Sequence, residues 1–455
     1  MAPEDGRVDR WVATAPTAAP AGCAIDATTR STVVSRVSGF PESTVDFLHH
    51  PNYDALLSGS PLRRRGVCVA VSAGLLALLG FAILSQLDML AGMRRDVEAV
   101  FFEALLLASL LSLVPIAILW YLDRRERETP WLFAVAFFWG AVIATGLALP
   151  LNNAFFHAIG AWVAKNPVIE QTLGPDATLM LVAPVAGPLV EEITKGLGVL
   201  ALLWLLHAEF DNMRDGFVYG ALVGLGFTWF EAPLYVAQGY AKFGDAPWGM
   251  QLGWRYSLFG LGGHALFTGL FGASLGLALQ TRRRWLKVLA PVAGLVLAIS
   301  AHVVNNVLPL LLAIVGAASG EAPPQATEPP PDIGFVQAFA GGSLVNLVIF
   351  LPFVAIIGVA LWRSGVWERR VIREELAGEV DRTVSEAEYE AIIGDRMFRT
   401  RRIDRLHRRT SAALVNAQHE LAFRKRRVRD AGRDPEADPL VAARREEIRE
   451  LRALA

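Results

Sequence analysis

Glu191, Glu192 and Lys195 stand together in the stretch VEEITKGLGVL, inside an apolar run from about Thr178 to Leu206. On a helix, Glu191 and Lys195 are i and i+4, and Glu192 and Lys195 are i and i+3, so all three side chains meet on one side. A charge at the centre of a membrane helix costs ~2.5–3.5 kcal/mol, which makes three in one turn a functional candidate by default. Later apolar runs carry Glu231, His264, and His302 with Asn305 and Asn306. Carboxylates, imidazoles and an amide suit hydrolysis by an activated water. A glutamate beside that water acts as general base. Glu192 is the first choice and Glu191 the second, with Lys195 holding the other carboxylate. In a metal version, His264, His302 and Glu231 bind zinc, which makes its water more acidic. In a metal-free version, a histidine holds the water while His302 and Asn306 donate to the oxyanion. Residue types leave both versions open.

These groups need elements that hold them at one depth. The chain has 455 residues, 53% hydrophobic and 19% charged. A soluble domain is usually about 45–50% apolar and about 25% charged. The apolar excess falls in blocks of about twenty or more residues, the mark of membrane spans. Eight are expected: Gly66–Leu87, Val100–Leu122, Trp131–Leu151, Thr178–Leu206, Gly216–Gln238, Arg255–Leu279, Val288–Ala317 and Phe335–Trp362. The expected fold is all-α, a polytopic membrane helix bundle with a helical cytosolic C-terminal tail. Glu192 and His302 lie mid-span, and Glu231 and His264 about three or four residues from centre. At 1.5 Å per residue, four consecutive spans bring Glu, Glu, His and His within about one turn of a common level. Gly216, Gly220 and Gly224 form a small-residue stripe, as do Gly260, Thr268, Gly272 and Gly276 around His264, and such stripes let helices approach closely. Thr268 reads as part of that packing. Glu103, Asn152, Asn153, His157, His207 and Asn346 lie near span ends or lack partners at the common level, and read as structural.

Residues 1–65 are polar and read as a mostly disordered cytosolic arm, 66–362 as the membrane domain, and 363–455 as the charged tail. No secretory signal core is seen in the first sixty residues. Cys23 and Cys68 give neither a disulfide framework nor metal-ligand spacing. No nucleotide-binding loop is present, and no nucleic-acid partner is expected. Arg63–Arg65, Arg124, Arg125 and Arg127, Arg282–Arg284 with Lys287, and Arg363, Arg369 and Arg370 fall on one side of the eight-span arrangement. The other side carries Lys165, Lys242, the Pro323–Pro331 loop and the exception Arg94/Arg95. Both termini are therefore expected to be cytoplasmic. The abundance of arginine over lysine hints at a bacterial source. In the tail, Tyr389, Ile392, Ile393, Leu414, Leu421, Leu440, Ile448 and Leu451 recur at helical spacing, giving two or three helices. The Arg-rich stretches Arg399–Arg409 and Arg424–Arg429 read as a solvated face, with contact to anionic lipid as the alternative.

Glu191-Glu192-x-x-Lys195, Phe227-x-x-x-Glu231, Gly263-His264-Ala265-x-x-Thr268 and His302-x-x-x-Asn306 occur in order on successive spans. In this the chain resembles the PrsW family of intramembrane proteases, within a broader superfamily that includes the CAAX prenyl endoproteases. The resemblance covers roughly Leu122 to Ala317. One departure is Ala232, where the family usually has Asn after the second-motif Glu, which weakens the expected orientation of Glu231. The resemblance implies peptide-bond hydrolysis in or near a bacterial cell membrane, on a single-span membrane-anchored protein. For the family's namesake that substrate is an anti-sigma factor. The residues alone also allow a proton-coupled transporter, for which no inverted repeat is visible. A third reading is a membrane scaffold of the same fold that has lost catalysis.

Overall fold

In the computed structural model, residues 60–124, 130–206, 210, 212–319, 333–394, 403 and 406–453 are described. The disordered arm read from the sequence falls almost wholly outside them, as does the Pro323–Pro331 loop. Among the described residues, seven helices are long and apolar enough to cross a membrane. They are α1 (Arg65–Ala91), α2 (Arg95–Leu122), α3 (Pro130–Val163), α5 (Met213–Phe243), α7 (Arg284–Ala318), α9 (Leu351–Ala377), and the stretch Leu258–Gln280 ending in α6 (Gly263–Gln280). To these is added α4 (Ala186–Leu205), 20 residues long and apolar but for Glu191, Glu192, Thr194 and Lys195. At 1.5 Å per residue α4 reaches ~30 Å, enough for the hydrocarbon core. The chain is an all-α, multi-pass membrane protein.

α5 and α6 form the buried centre, while α1 and α7 expose most of their surface. That outer surface, with that of α2, is apolar: Leu76, Leu84, Leu110, Leu113, Val288 and Val292 are all exposed. The central pair is held by glycine. A Cβ on Gly224 would collide with the carbonyl oxygen of His264, and one on Gly216 with that of Gly272. The small-residue stripes are thus the α5–α6 contact, and they bring His264 against the helix that carries Glu231.

Four departures from the expected spans shape the site. The span expected at Trp131–Leu151 continues to Val163 through a π-helical segment, Trp139–Ala144. Pro150 does not end it, so Asn152 lies inside α3 rather than at a span end. The run Thr178–Leu206 is broken: a short helix, Ala177–Val182, precedes α4. Pro184 has no N–H to continue the first helix, whereas Pro188 sits in the first turn of α4, where a missing donor is tolerated. Glu191 and Glu192 are consequently in the second turn of α4, ~8–9 Å from its start, rather than at mid-span.

The span expected from Arg255 is also broken. Gly249–Gly253 is π-helical, and Leu258, Phe259 and Gly260 all have positive φ (51°, 57° and 74°). Two of these are non-glycine residues in the left-handed region, a strained reversal. It is braced by Ser343 of α8 (Phe335–Ile349), whose hydroxyl accepts from Leu258 N at 2.9 Å. α6 starts only at Gly263, so His264 is in its first turn. Last, the Phe335–Trp362 span is two helices, α8 and α9, meeting at Phe350. Pro352 lacks the N–H that would bond Val348, and α8 alone reaches only ~22 Å.

α9 runs without interruption past Arg363 into the C-terminal region. There α10 (Glu386–Ile393), α11 (Arg408–Asp430) and α12 (Pro439–Ala453) gather on its end around Val371, Leu376, Ile392, Leu414, Leu421 and Ile448. The arginines of α11 and α12 do not form a free solvated face. Arg424 pairs with Asp438, Arg429 with Glu375, and Arg445 with both Glu379 and Glu436. Most of Arg399–Arg409 lies outside the described residues. The membrane end of this unit is pinned to α5: Arg214 meets Glu368 at 2.8 Å, and Ser364 donates to Asn212, the α5 N-cap, at 3.1 Å.

Candidate active site

α4, α5, α6 and α7 bring Glu191, Glu192, Lys195, Glu231, His264 and His302 into one cluster. Its centre is the fully buried Lys195 ammonium. It donates to Glu192 Oε1 at 2.5 Å and to His264 Nδ1 at 2.8 Å, and lies 4.4 Å from the centre of the Phe227 ring. An ammonium has only donors, so His264 Nδ1 must carry a lone pair and Nε2 the proton. Nε2 then donates to Glu231 Oε2 at 2.8 Å.

Glu192 is fully engaged. Oε1 also accepts from His302 Nδ1 at 3.0 Å, and Oε2 accepts from Thr268 Oγ1 at 3.0 Å. Thr268, read from the sequence as packing, is therefore a hydrogen-bond partner of the site. The bond to Glu192 Oε1 fixes the tautomer of His302: with its proton on Nδ1, the Nε2 lone pair faces Glu191 Oε2 at 3.9 Å. The His302 ring stacks on Phe267 (5.2 Å, 23°) and meets the His264 ring edge-on at 4.9 Å.

Glu191 is the exception. Oε1 accepts from Asn152 Nδ2 at 3.1 Å, but Oε2 is buried and accepts no hydrogen bond. Its other neighbour is Lys195 Nζ at 3.9 Å. A buried carboxylate oxygen left without a donor is uncommon and calls for a reason. Of the two glutamates, only Glu191 has an oxygen free to take a proton.

Asn306 is not aimed at the cluster. Its Nδ2 donates to Ala183 O at 2.9 Å and its Oδ1 accepts from Asn305 at 2.9 Å. It thus satisfies a carbonyl left open by the break before α4. Two contacts went unread in the sequence. Asn152 reads from the sequence as structural, near the end of the expected Trp131–Leu151 span, yet it bonds Glu191. Arg255 stands at the edge of the expected Arg255–Leu279 span; its Nη1 donates to Glu231 Oε2 at 2.6 Å, with the guanidinium 4.2 Å from the centre of the Tyr235 ring. An arginine at the rim of the apolar run that follows the one carrying a lone glutamate is the available signal.

The groups whose ligand atoms converge, all within 4.8 Å of one another, are Glu191, His264 and His302. Glu231, expected in that set, is instead shared between His264 and Arg255. One carboxylate and two imidazoles match the donor types of hydrolytic zinc sites. Both His264 ring nitrogens are engaged, however, and a metal on Nδ1 would have to displace the Lys195 ammonium. As arranged, the residues do not fit a metal held by all three.

Residues 128–357, half of the chain, match the model of a family described as PrsW family intramembrane metalloprotease. No curated protein and no solved structure matches.

Proposed function

The chain belongs to the PrsW family of intramembrane proteases, and we propose that it hydrolyses peptide bonds of membrane-anchored, single-span proteins with Glu191 as the general base. One observation carries the assignment: Glu191 Oε2 is the cluster's carboxylate oxygen that is buried and undonated, and it faces the His302 Nε2 lone pair at 3.9 Å. A water there donates one hydrogen to each. Its oxygen attacks the scissile carbonyl carbon as Glu191 takes the proton. Lys195, 3.9 Å from Glu191 Oε2, offsets the negative charge that develops. The proton then passes from Glu191 to the leaving nitrogen, the C–N bond breaks, and a carboxylic acid and an amine result. Glu192 is in this reading a positioning residue that orients Lys195, His302 and Thr268. No step passes through a metal.

Glu231, His264 and Lys195 form the electrostatic support. Asn306 acts on the chain break beside Glu191 rather than on the oxyanion. The Lys/Arg distribution supports an orientation with both termini, and the C-terminal helical unit, in the cytoplasm of a bacterial cell, the source to which the excess of arginine over lysine points. An anti-sigma factor is one substrate of the expected type.

The test uses full-length protein in liposomes and a synthetic quenched single-span peptide that the wild type cleaves. E191Q is expected to lower kcat by at least ~10³-fold with KM little changed, and chelation is expected to leave wild-type turnover intact. Full turnover by E191Q would remove Glu191 as the base. Turnover lost with a stoichiometric metal and restored by it would overturn the metal-free route.

A further inference from the structure

Asn152 contributes two groups beside the base, and only one is used. Its Nδ2 donates to Glu191 Oε1 at 3.1 Å, while its Oδ1 is buried and accepts no hydrogen bond. The amide's orientation follows from its partner, because a carboxylate oxygen only accepts. Two buried acceptors, Glu191 Oε2 and Asn152 Oδ1, therefore lie on either side of one hydrogen bond. The water in the proposed mechanism spends its two hydrogens on Glu191 Oε2 and His302 Nε2, leaving none for Asn152. The substrate can supply that donor. A peptide unwound for cleavage exposes backbone N–H groups that have lost their helical acceptors, and in an apolar setting each needs a new one.

We propose that Asn152 is a substrate-binding residue: its amide N–H holds Glu191, and its carbonyl oxygen accepts a backbone N–H of the substrate next to the scissile bond. This rests on Glu191 as the base. It extends the site to α3, a helix outside the four spans that carry the motifs. It also favours substrates whose main chain is extended and unbonded at the cut, independent of side-chain identity.

The experiment uses full-length protein in liposomes and the same synthetic peptide, together with versions in which one peptide N–H near the cut is replaced by an ester oxygen. The wild type is expected to lose about tenfold in kcat/KM at one ester position, the worth of a single hydrogen bond. N152L is expected to cleave the all-amide peptide about 10²-fold more slowly and to be indifferent to that ester. N152L cutting at the wild-type rate, or losing as much as the wild type at every ester, would overturn the proposal.

If N152L does not fold, N152D takes its place. When protonated, the introduced carboxylic acid can donate to Glu191 and accept from substrate as the amide does; when ionised it cannot donate. N152D should therefore lose activity with rising pH where the wild type does not, and a parallel profile would count against the idea. The two readings fail separately. An active E191Q removes the base assignment, while the ester comparison still judges Asn152. An inactive E191Q with a wild-type N152L removes Asn152 alone.

Discussion

Lys195 Nζ donates to His264 Nδ1 at 2.8 Å, so a lysine on α4 dictates which nitrogen of a histidine on α6 carries the proton. From that contact runs an alternating series of charges and dipoles: Arg255, Glu231, His264, Lys195, Glu192, His302. Removing Lys195 leaves Glu192 a buried carboxylate with no cation. K195M is expected to cost about 3–5 kcal/mol in stability, the penalty for breaking a buried pair. It should also abolish cleavage. Thermal unfolding and turnover of the reconstituted protein check both, and an unchanged melting temperature would contradict the pairing.

Arg255 is the outer end of the series. Its bond to Glu231 is only one-fifth exposed on the arginine side, so solvent replaces it poorly. R255M is expected to lower kcat by ~10–10²-fold, and R255K to recover part of it. Lysine keeps the charge but not the fork geometry or the stacking on Tyr235. Steady-state kinetics of the two variants would show it; equal activity of R255M and wild type would place Arg255 outside the mechanism.

The α5–α6 contact gives a packing prediction. At Gly224 even a methyl group meets the backbone carbonyl of His264, which has no room to yield. G224A should move the first turn of α6, which carries His264. Loss of cleavage together with a lower melting temperature is expected, whereas G80A, at a glycine with open space around it, should leave both unchanged.

The C-terminal unit should be acid-sensitive. Two arginines, Arg445 first and then Arg382, hold the Glu436 carboxyl down to about 2. Burial opposes ionisation of Glu379, but hydrogen bonds from Arg445 and Lys425 outweigh it and lower its pKa. Folded values below the unfolded ones mean stability that is complete above the ordinary glutamate range and lost as pH falls through the folded values. Limited proteolysis, or the fluorescence of Trp367 stacked on Phe423, should report loosening of α10 to α12 between about pH 4.5 and 2. Resistance unchanged across that window would refute the role of these pairs.

Much of this protein can be read from its residue order. Blocks of apolar sequence mark the spans because burial in lipid depends on composition over some twenty residues. The i, i+4 spacing of Gly216, Gly220 and Gly224 marks a packing face because helical periodicity is local. The sequence places Glu192, Glu231, His264 and His302 near one level by a count along each apolar run; the breaks before α4 and α6 change those counts, and the packing of the four helices brings the groups together. Other features are not local. Which glutamate keeps a free oxygen depends on how α4 is rotated against α6 and α7, where Thr268 and His302 engage Glu192. Asn306 points away because the chain breaks at Pro184, and a proline reports a missing donor but not where the chain goes next. Asn152 reaches the cluster from α3 beyond its π-helical segment, and Arg255 from between the π-helical Gly249–Gly253 and the left-handed turn, and neither irregularity leaves a periodic trace. Depth and periodicity are properties of one chain segment; the choice of hydrogen-bond partner is a property of several packed together, and only the tertiary structure decides it.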